Sequence, residues 1–215
     1  MSNNVIIFGD SYSTFKGHIP EDFEPYYYPG GYSNGVEKND VEEVSQTWWG
    51  QLIPRMNATL LLNNSWSGST IGYTGYGNTD CSKSSSFIYR FNQLCEQGFF
   101  EKNKIDTVFV FGGTNDNWCG APIGELKYSD WSHEDLFSVL PAVTYFFKIL
   151  SEKLPDAKII AIINSELDEI ITNGIITAAS HYGAKTVLLE NIEKLTKHPT
   201  RAGMASIAEQ VFAIL

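Results

Sequence analysis

Five short apolar runs punctuate the chain, and between them apolar residues recur at every third or fourth position. Val5-Ile6-Ile7-Phe8 is the first run, stopped by Gly9-Asp10-Ser11; 58–62, 105–112, 158–163 and 186–189 follow. Short continuous runs ended by turn residues read as strands buried on both faces, the condition of a parallel sheet. Helical spacing appears after Thr47 (Trp48, Trp49, Leu52, Ile53, Met56) and over 84–97 (Phe87, Phe91, Leu94, Cys95), which Gly98 stops. It returns over 132–154, where Ser132 and Asp135 form a capping box and Pro141 predicts a kink, and over a helix that Ser165 and Asp168 cap and Gly183 ends. Thr200 opens a last helix carrying Met204, Ile207, Ala208, Val211 and Phe212. Strands alternating with helices predict an α/β fold: a flavodoxin-like three-layer α/β/α sandwich around a central five-stranded parallel sheet, joined by right-handed crossovers, as one domain over 1–215.

Two stretches break this rhythm. The segment 16–45 is long and irregular, with Phe23, Tyr26, Tyr27, Tyr28 and Tyr32 followed by the acidic run 37–43. Loops of this length are usually functional or disordered, and five aromatics argue for an ordered flap lying on the body, over the site or beside it. The segment 63–80 holds Gly68, Gly72, Gly75 and Gly77, so its backbone can approach a ligand closely and present N–H groups. It lacks the lysine of a phosphate-binding loop.

Composition narrows the function. A hydrophobic fraction of 43%, with 13% aromatic, supplies a packed core. A formal charge of -10 disfavours nucleic acid and anionic membranes, and favours a neutral small molecule as partner. Cys81, Cys95 and Cys119 are an odd count without metal-ligand spacing, so neither a disulfide framework nor a metal is expected. No stretch approaches the ~20 apolar residues of a membrane span. The first strand begins too early to leave room for a signal peptide, which predicts a cytoplasmic protein.

The chemistry gathers at the predicted carboxyl edge of the sheet, where open α/β folds bind ligands. Ser11, just after the first strand, stands where an exposed nucleophile would. Downstream lie Asn64-Ser65-Trp66-Ser67-Gly68, Phe111-Gly112-Gly113-Thr114-Asn115-Asp116 and His198-Pro199-Thr200. In order and context these blocks resemble those of the SGNH hydrolases, the GDSL esterase/lipase family, from Val5 to the C-terminus. The resemblance implies Ser11 as nucleophile, His198 as base, Gly68 and Asn115 as oxyanion donors together with the Ser11 N–H, and no metal or cofactor. Asp10 and Asp116 are expected to hold loops. Arg90 reads equally as a solvated charge or as an anchor for an active-site loop.

One position departs from the family. Its usual aspartate, three residues before the histidine, is Leu195 here, and leucine cannot accept an imidazole N–H. Glu193 is the first candidate to replace it, ahead of a backbone carbonyl or a serine–histidine dyad; Glu190 is more remote. The expected activity is a serine esterase acting on a small ester, an acetylated carbohydrate for choice, since Trp66, Trp118, Trp131 and the tyrosines suit sugar faces. A lipid or thioester hydrolase and a non-catalytic carbohydrate-binding module on the same fold are the alternatives.

Overall fold

The computed structural model describes residues 3–33 and 37–215. Its centre is a five-stranded parallel sheet built from β1 (Asn3–Gly9), β2 (Ala58–Ser65), β3 (Thr107–Phe111), β4 (Lys158–Ile163) and β5 (Lys185–Leu188). The strand order is β2-β1-β3-β4-β5, with all neighbours parallel. That is the flavodoxin-like order, in which the chain reverses direction beside β1 and opens a crevice at the carboxyl ends of β1 and β3.

Successive side chains of a strand point to opposite faces, and the first apolar run uses both. Val5 and Ile7 enter one core with Phe109, Phe111, Ile160 and Ile162. Helices α1 (Trp48–Arg55) and α7 (Arg201–Phe212) cover that face. Ile6 and Phe8 enter the other core with Val108 and Val110, under α2 (Phe87–Glu96), α5 (Val139–Lys153) and α6 (Glu169–His181). Two short helices lay unmarked in the hydrophobic pattern: α3 (Phe99–Lys102) and α4 (Thr114–Trp118).

The caps at Thr47, Ser86 and Thr200 accept N–H groups of the first helical turn, from Gly50, Tyr89 and Gly203 respectively. The predicted helix 132–154 divides. A 3₁₀ turn, Glu134–Phe137, is separated from α5 by Ser138, whose extended backbone (φ -108, ψ 144) ends one helix and starts another. Pro141 therefore sits in the first turn of α5, where its missing N–H costs nothing, and does not kink a helix interior.

Segment 16–45 is ordered wherever it is described; 34–36 lie outside the described residues. It forms short antiparallel pairings (Tyr27–Tyr28, Tyr32–Ser33, Glu37–Lys38) and docks on the chain's far end. Tyr27 Oη donates to the Pro199 carbonyl (2.8 Å), and the Arg201 N–H donates to Asp40 Oδ1 (2.8 Å).

The close approach that fixes the sheet's business end is at Gly9. A Cβ added there would lie 2.5 Å from Ser65 Oγ and 2.6 Å from Ser13 Cβ. Gly9→Ala is expected to lower stability by about 1–3 kcal/mol through overpacking. Urea denaturation checks this, and an unchanged midpoint would mean the Ser13 turn yields freely.

Candidate active site

Ser11 opens a 3₁₀ turn, Ser11–Ser13, directly after β1. Asp10 caps the turn by accepting the Tyr12 N–H (3.0 Å). The turn is tied down from below: the Ser13 carbonyl accepts from Trp49 Nε1 and Asn63 Nδ2, both at 2.8 Å, and Ser13 Oγ accepts from Trp48 Nε1 (3.2 Å). The paired tryptophans are core, as their spacing predicts, and they also anchor this turn.

His198 arrives from 187 positions away, and its Nε2 lies 2.9 Å from Ser11 Oγ. It sits on a two-stranded hairpin, Lys194–Leu195 with His198–Pro199, whose two loop residues, Thr196 (φ 49) and Lys197 (φ 68), are both left-handed. That is the backbone of a two-residue hairpin turn, a conformation a β-branched threonine rarely adopts and one costing of order 1–3 kcal/mol. Tyr12 Oη donates to the Lys197 carbonyl and holds that turn against the Ser11 segment.

The Thr196 carbonyl, two residues back, faces His198 Nδ1 at 3.2 Å. Glu193 does not. Its carboxylate accepts from Thr200 Oγ1 (2.6 Å) at the start of α7. This corrects the expectation that Glu193 orients the imidazole: of the alternatives, the geometry is that of a backbone carbonyl. Lys194, its neighbour, is no solvated charge. Its side chain is buried, donating to Asn164 Oδ1 (2.8 Å) and paired with Glu166 (2.9 Å).

Aromatic rings enclose the imidazole. Tyr26 stacks on it with centroids 3.5 Å apart and planes 10° from parallel. Tyr12 and Trp118 meet it steeply inclined, at 5.3 Å and 6.2 Å. Burial disfavours the charged ring, and nearby Lys194 adds to this while the Thr196 carbonyl opposes it; the His198 pKa is pushed down to about 4.

Gly68 occupies the third position of a turn closed by Ser69 N–H to Trp66 O (3.2 Å), with φ +80, which only glycine adopts without strain. A Cβ there would meet only open space, and the Gly68 N–H donates to no described residue. Asn115 begins the second position of α4, after β3. Its Nδ2 donates to Ser69 O (2.9 Å) and its Oδ1 accepts from Tyr76 Oη (2.8 Å), leaving one amide hydrogen unused. Tyr76 is a residue the sequence reading missed; nothing in the spacing of the glycine-rich loop marks it.

Buried charges hold these loops. Asp116 accepts the N–H groups of Ile71 and Gly72 at 3.0–3.1 Å. Arg90 is fully buried and is an anchor, donating to Gly9 O (3.2 Å), Ser69 Oγ (3.1 Å), Ser85 O (2.8 Å) and both oxygens of Asn64. Burial pulls its guanidinium down to about 9, still charged at neutral pH. Burial, with Asp116 nearby, pushes Asp10 up to about 7, and its Oδ2 has no protein partner.

Trp66 packs against Phe23, tilted by 31° with centroids 4.4 Å apart, beside the Gly68 turn and next to a cavity of about 660 Å³ that also touches Leu62, Tyr89 and Lys83. Trp131 is elsewhere. It packs on α5 through Tyr145 and Thr144, so it is no part of this edge.

No curated protein matches the chain. Among solved structures, proteins described as GDSL-like lipases are similar over nearly their whole length. That from Bacteroides uniformis is 40% identical, covering 100% of this chain and 95% of that one, with a TM-score of 0.90. That from Bacteroides ovatus is 36% identical over 100% and 98%, also with a TM-score of 0.90. An acetyl xylan esterase of the rumen bacterium Butyrivibrio proteoclasticus shares the fold at 17% identity, covering 100% of this chain and 63% of its own, TM-score 0.57. The GDSL-like lipase/acylhydrolase family model matches residues 3–215, and the chain belongs to that family.

Proposed function

We propose that this GDSL-family hydrolase is a serine esterase that cleaves a small ester, an acetylated carbohydrate, through an acyl-enzyme. The single observation that carries the reading is the 2.9 Å approach of His198 Nε2 to Ser11 Oγ. A serine hydroxyl becomes a competent nucleophile when a base takes its proton as it attacks.

In this reading neutral His198 donates Nδ1–H to the Thr196 carbonyl, which leaves Nε2 free to accept from Ser11. Ser11 Oγ attacks the ester carbonyl and its proton passes to Nε2. The unpaired N–H of Gly68, the Ser11 N–H and the spare amide hydrogen of Asn115 receive the developing oxyanion. Each such donor is worth about 3–4 kcal/mol when tested by removal. The imidazolium then protonates the leaving alcohol, and water, deprotonated by the same ring, releases the acid. The sugar reading is supported by Trp66 with Phe23 beside Gly68, by Trp118 beyond Asn115, and by the fold shared with an acetyl xylan esterase.

Wild type should be labelled by a fluorophosphonate at Ser11, while Ser11→Ala should fold, resist labelling and lose p-nitrophenyl acetate hydrolysis. Labelling at another residue, or undiminished turnover, would remove the nucleophile assignment, and a wild type that neither labels nor turns over would reopen the non-catalytic reading.

The pH profile tests the base. Because the folded-state pKa of His198 lies below the ordinary 6.5, the neutral ring persists down to about 4. The acid limb of kcat/KM should therefore be centred near pH 4. A limb near 7 that disappears in Asp10→Asn would place control on the buried carboxylate instead.

Acyl preference separates the substrates. Acetate esters should be hydrolysed faster than octanoate esters, with the ratio read as kcat/KM; the reverse ranking would favour a lipid or thioester substrate.

A further inference from the structure

The proposed chemistry forms an imidazolium, and none of the ion pairs among the described residues involves His198. Lys194 disfavours the protonated ring, and the Glu166 carboxylate is paired with Lys194. Thr196 O supplies one hydrogen bond at Nδ1 and no formal charge. Something else must favour the cation and hold the ring.

Tyr26 is placed to do both. Its ring lies face to face with the imidazole, 3.5 Å away and 10° from parallel. An aromatic face carries negative potential, so a cation formed against it is stabilised, more so when the pair is out of water. Tyr26 itself is buried, 5% exposed.

Its main chain is registered to the nucleophile as well. The Tyr26 N–H donates to Thr14 Oγ1 (2.8 Å), and the same hydroxyl donates to the Ser11 carbonyl (2.9 Å). The next residue, Tyr27, reaches the Pro199 carbonyl beside His198. One residue of segment 16–45 is thus fixed to Ser11 by its backbone and to His198 by its ring.

We propose that Tyr26 is a positioning residue that takes over part of the missing aspartate's work: its π face holds the imidazole in register with Ser11 and stabilises the imidazolium as it forms. The inference rests on the esterase reading above and goes beyond it in giving segment 16–45 a part in the reaction. The Thr196 carbonyl fixes the tautomer, and Tyr26 supplies the electrostatics.

The test varies the face without varying its shape. Tyr26→Phe keeps the face and should retain kcat for p-nitrophenyl acetate within about threefold. Phenylalanines carrying one, two or three ring fluorines at position 26 are nearly isosteric but progressively lose the negative face. Across that series kcat should fall stepwise, by about tenfold in all, with KM unchanged, because the cation exists only beyond the ground state. Tyr26→Leu should show at least the same loss, with its folding checked by thermal melting. Fluorescence of a bound fluorophosphonate reports Ser11 separately in every variant. A flat fluorine series would overturn the proposal, as would a Tyr26→Phe variant as impaired as Tyr26→Leu. If instead Ser11→Ala retained wild-type turnover, the esterase reading itself would fail, whatever the series showed.

Discussion

The candidate site depends on bringing the two ends of the chain together at one point: Ser11 after the first strand and His198 before the last helix, 187 positions apart, within 2.9 Å. A hydrogen bond of this kind is worth only about 1 kcal/mol net, far less than the cost of ordering so long a loop. The contact is therefore a consequence of the fold and not its cause. Burial of the two faces of β1 sets the sheet, the sheet sets the carboxyl edge, and α1 and α7 pack on one face so that the segments preceding α7 pass over the end of β1. Segment 16–45 then crosses from the Ser11 turn to the start of α7 and closes the ring of contacts through Tyr26, Tyr27 and Asp40.

A second layer of order is polar and buried. Arg90, Asp116 and Asp10 would each be costly alone in an apolar interior. Arg90 is satisfied by carbonyl and side-chain oxygens of β1, β2 and the glycine-rich loop, and Asp116 by two N–H groups of that loop. Their common effect is to fix the segment 64–72, which carries Gly68, against the end of β1. This is the rigidity that preorganised oxyanion donors need, since donors that must reorganise during the reaction lose most of their value. Asp10 is the exception, with one oxygen unpaired among the described residues and a raised pKa, directly before Ser11.

Much of this was legible in the sequence because it is written in side chains. Apolar runs mark all five strands, and threonine caps mark the starts of α1 and α7. The blocks around Ser11 and His198 name the two residues that the fold brings into contact. What stayed hidden is carried by the backbone or by packing. His198 Nδ1 faces the carbonyl of Thr196, a group that every residue possesses, in a turn for which Thr-Lys carries no signal, whereas the sequence offers Glu193 as a visible carboxylate. In the sequence Tyr26 is one aromatic among five and Tyr76 one residue of a glycine-rich loop; only the fold shows which ring stacks on His198 and which hydroxyl holds Asn115. The division of the 132–154 helix was lost because Ser138 interrupts the backbone without interrupting the apolar spacing.

The central claim is that Ser11 and His198 work as a pair oriented by main chain and aromatic rings in place of a carboxylate. The most direct test is a crystal structure of the enzyme phosphonylated on Ser11. The account predicts the phosphonyl oxygen within about 3 Å of the Ser11 N–H, the Gly68 N–H and Asn115 Nδ2, the distance expected for oxyanion donors. It also predicts His198 Nδ1 still on the Thr196 carbonyl, with Tyr26 stacked on the ring. A Glu193 or other carboxylate at Nδ1, or an oxygen pointing away from Gly68 and Asn115, would contradict it.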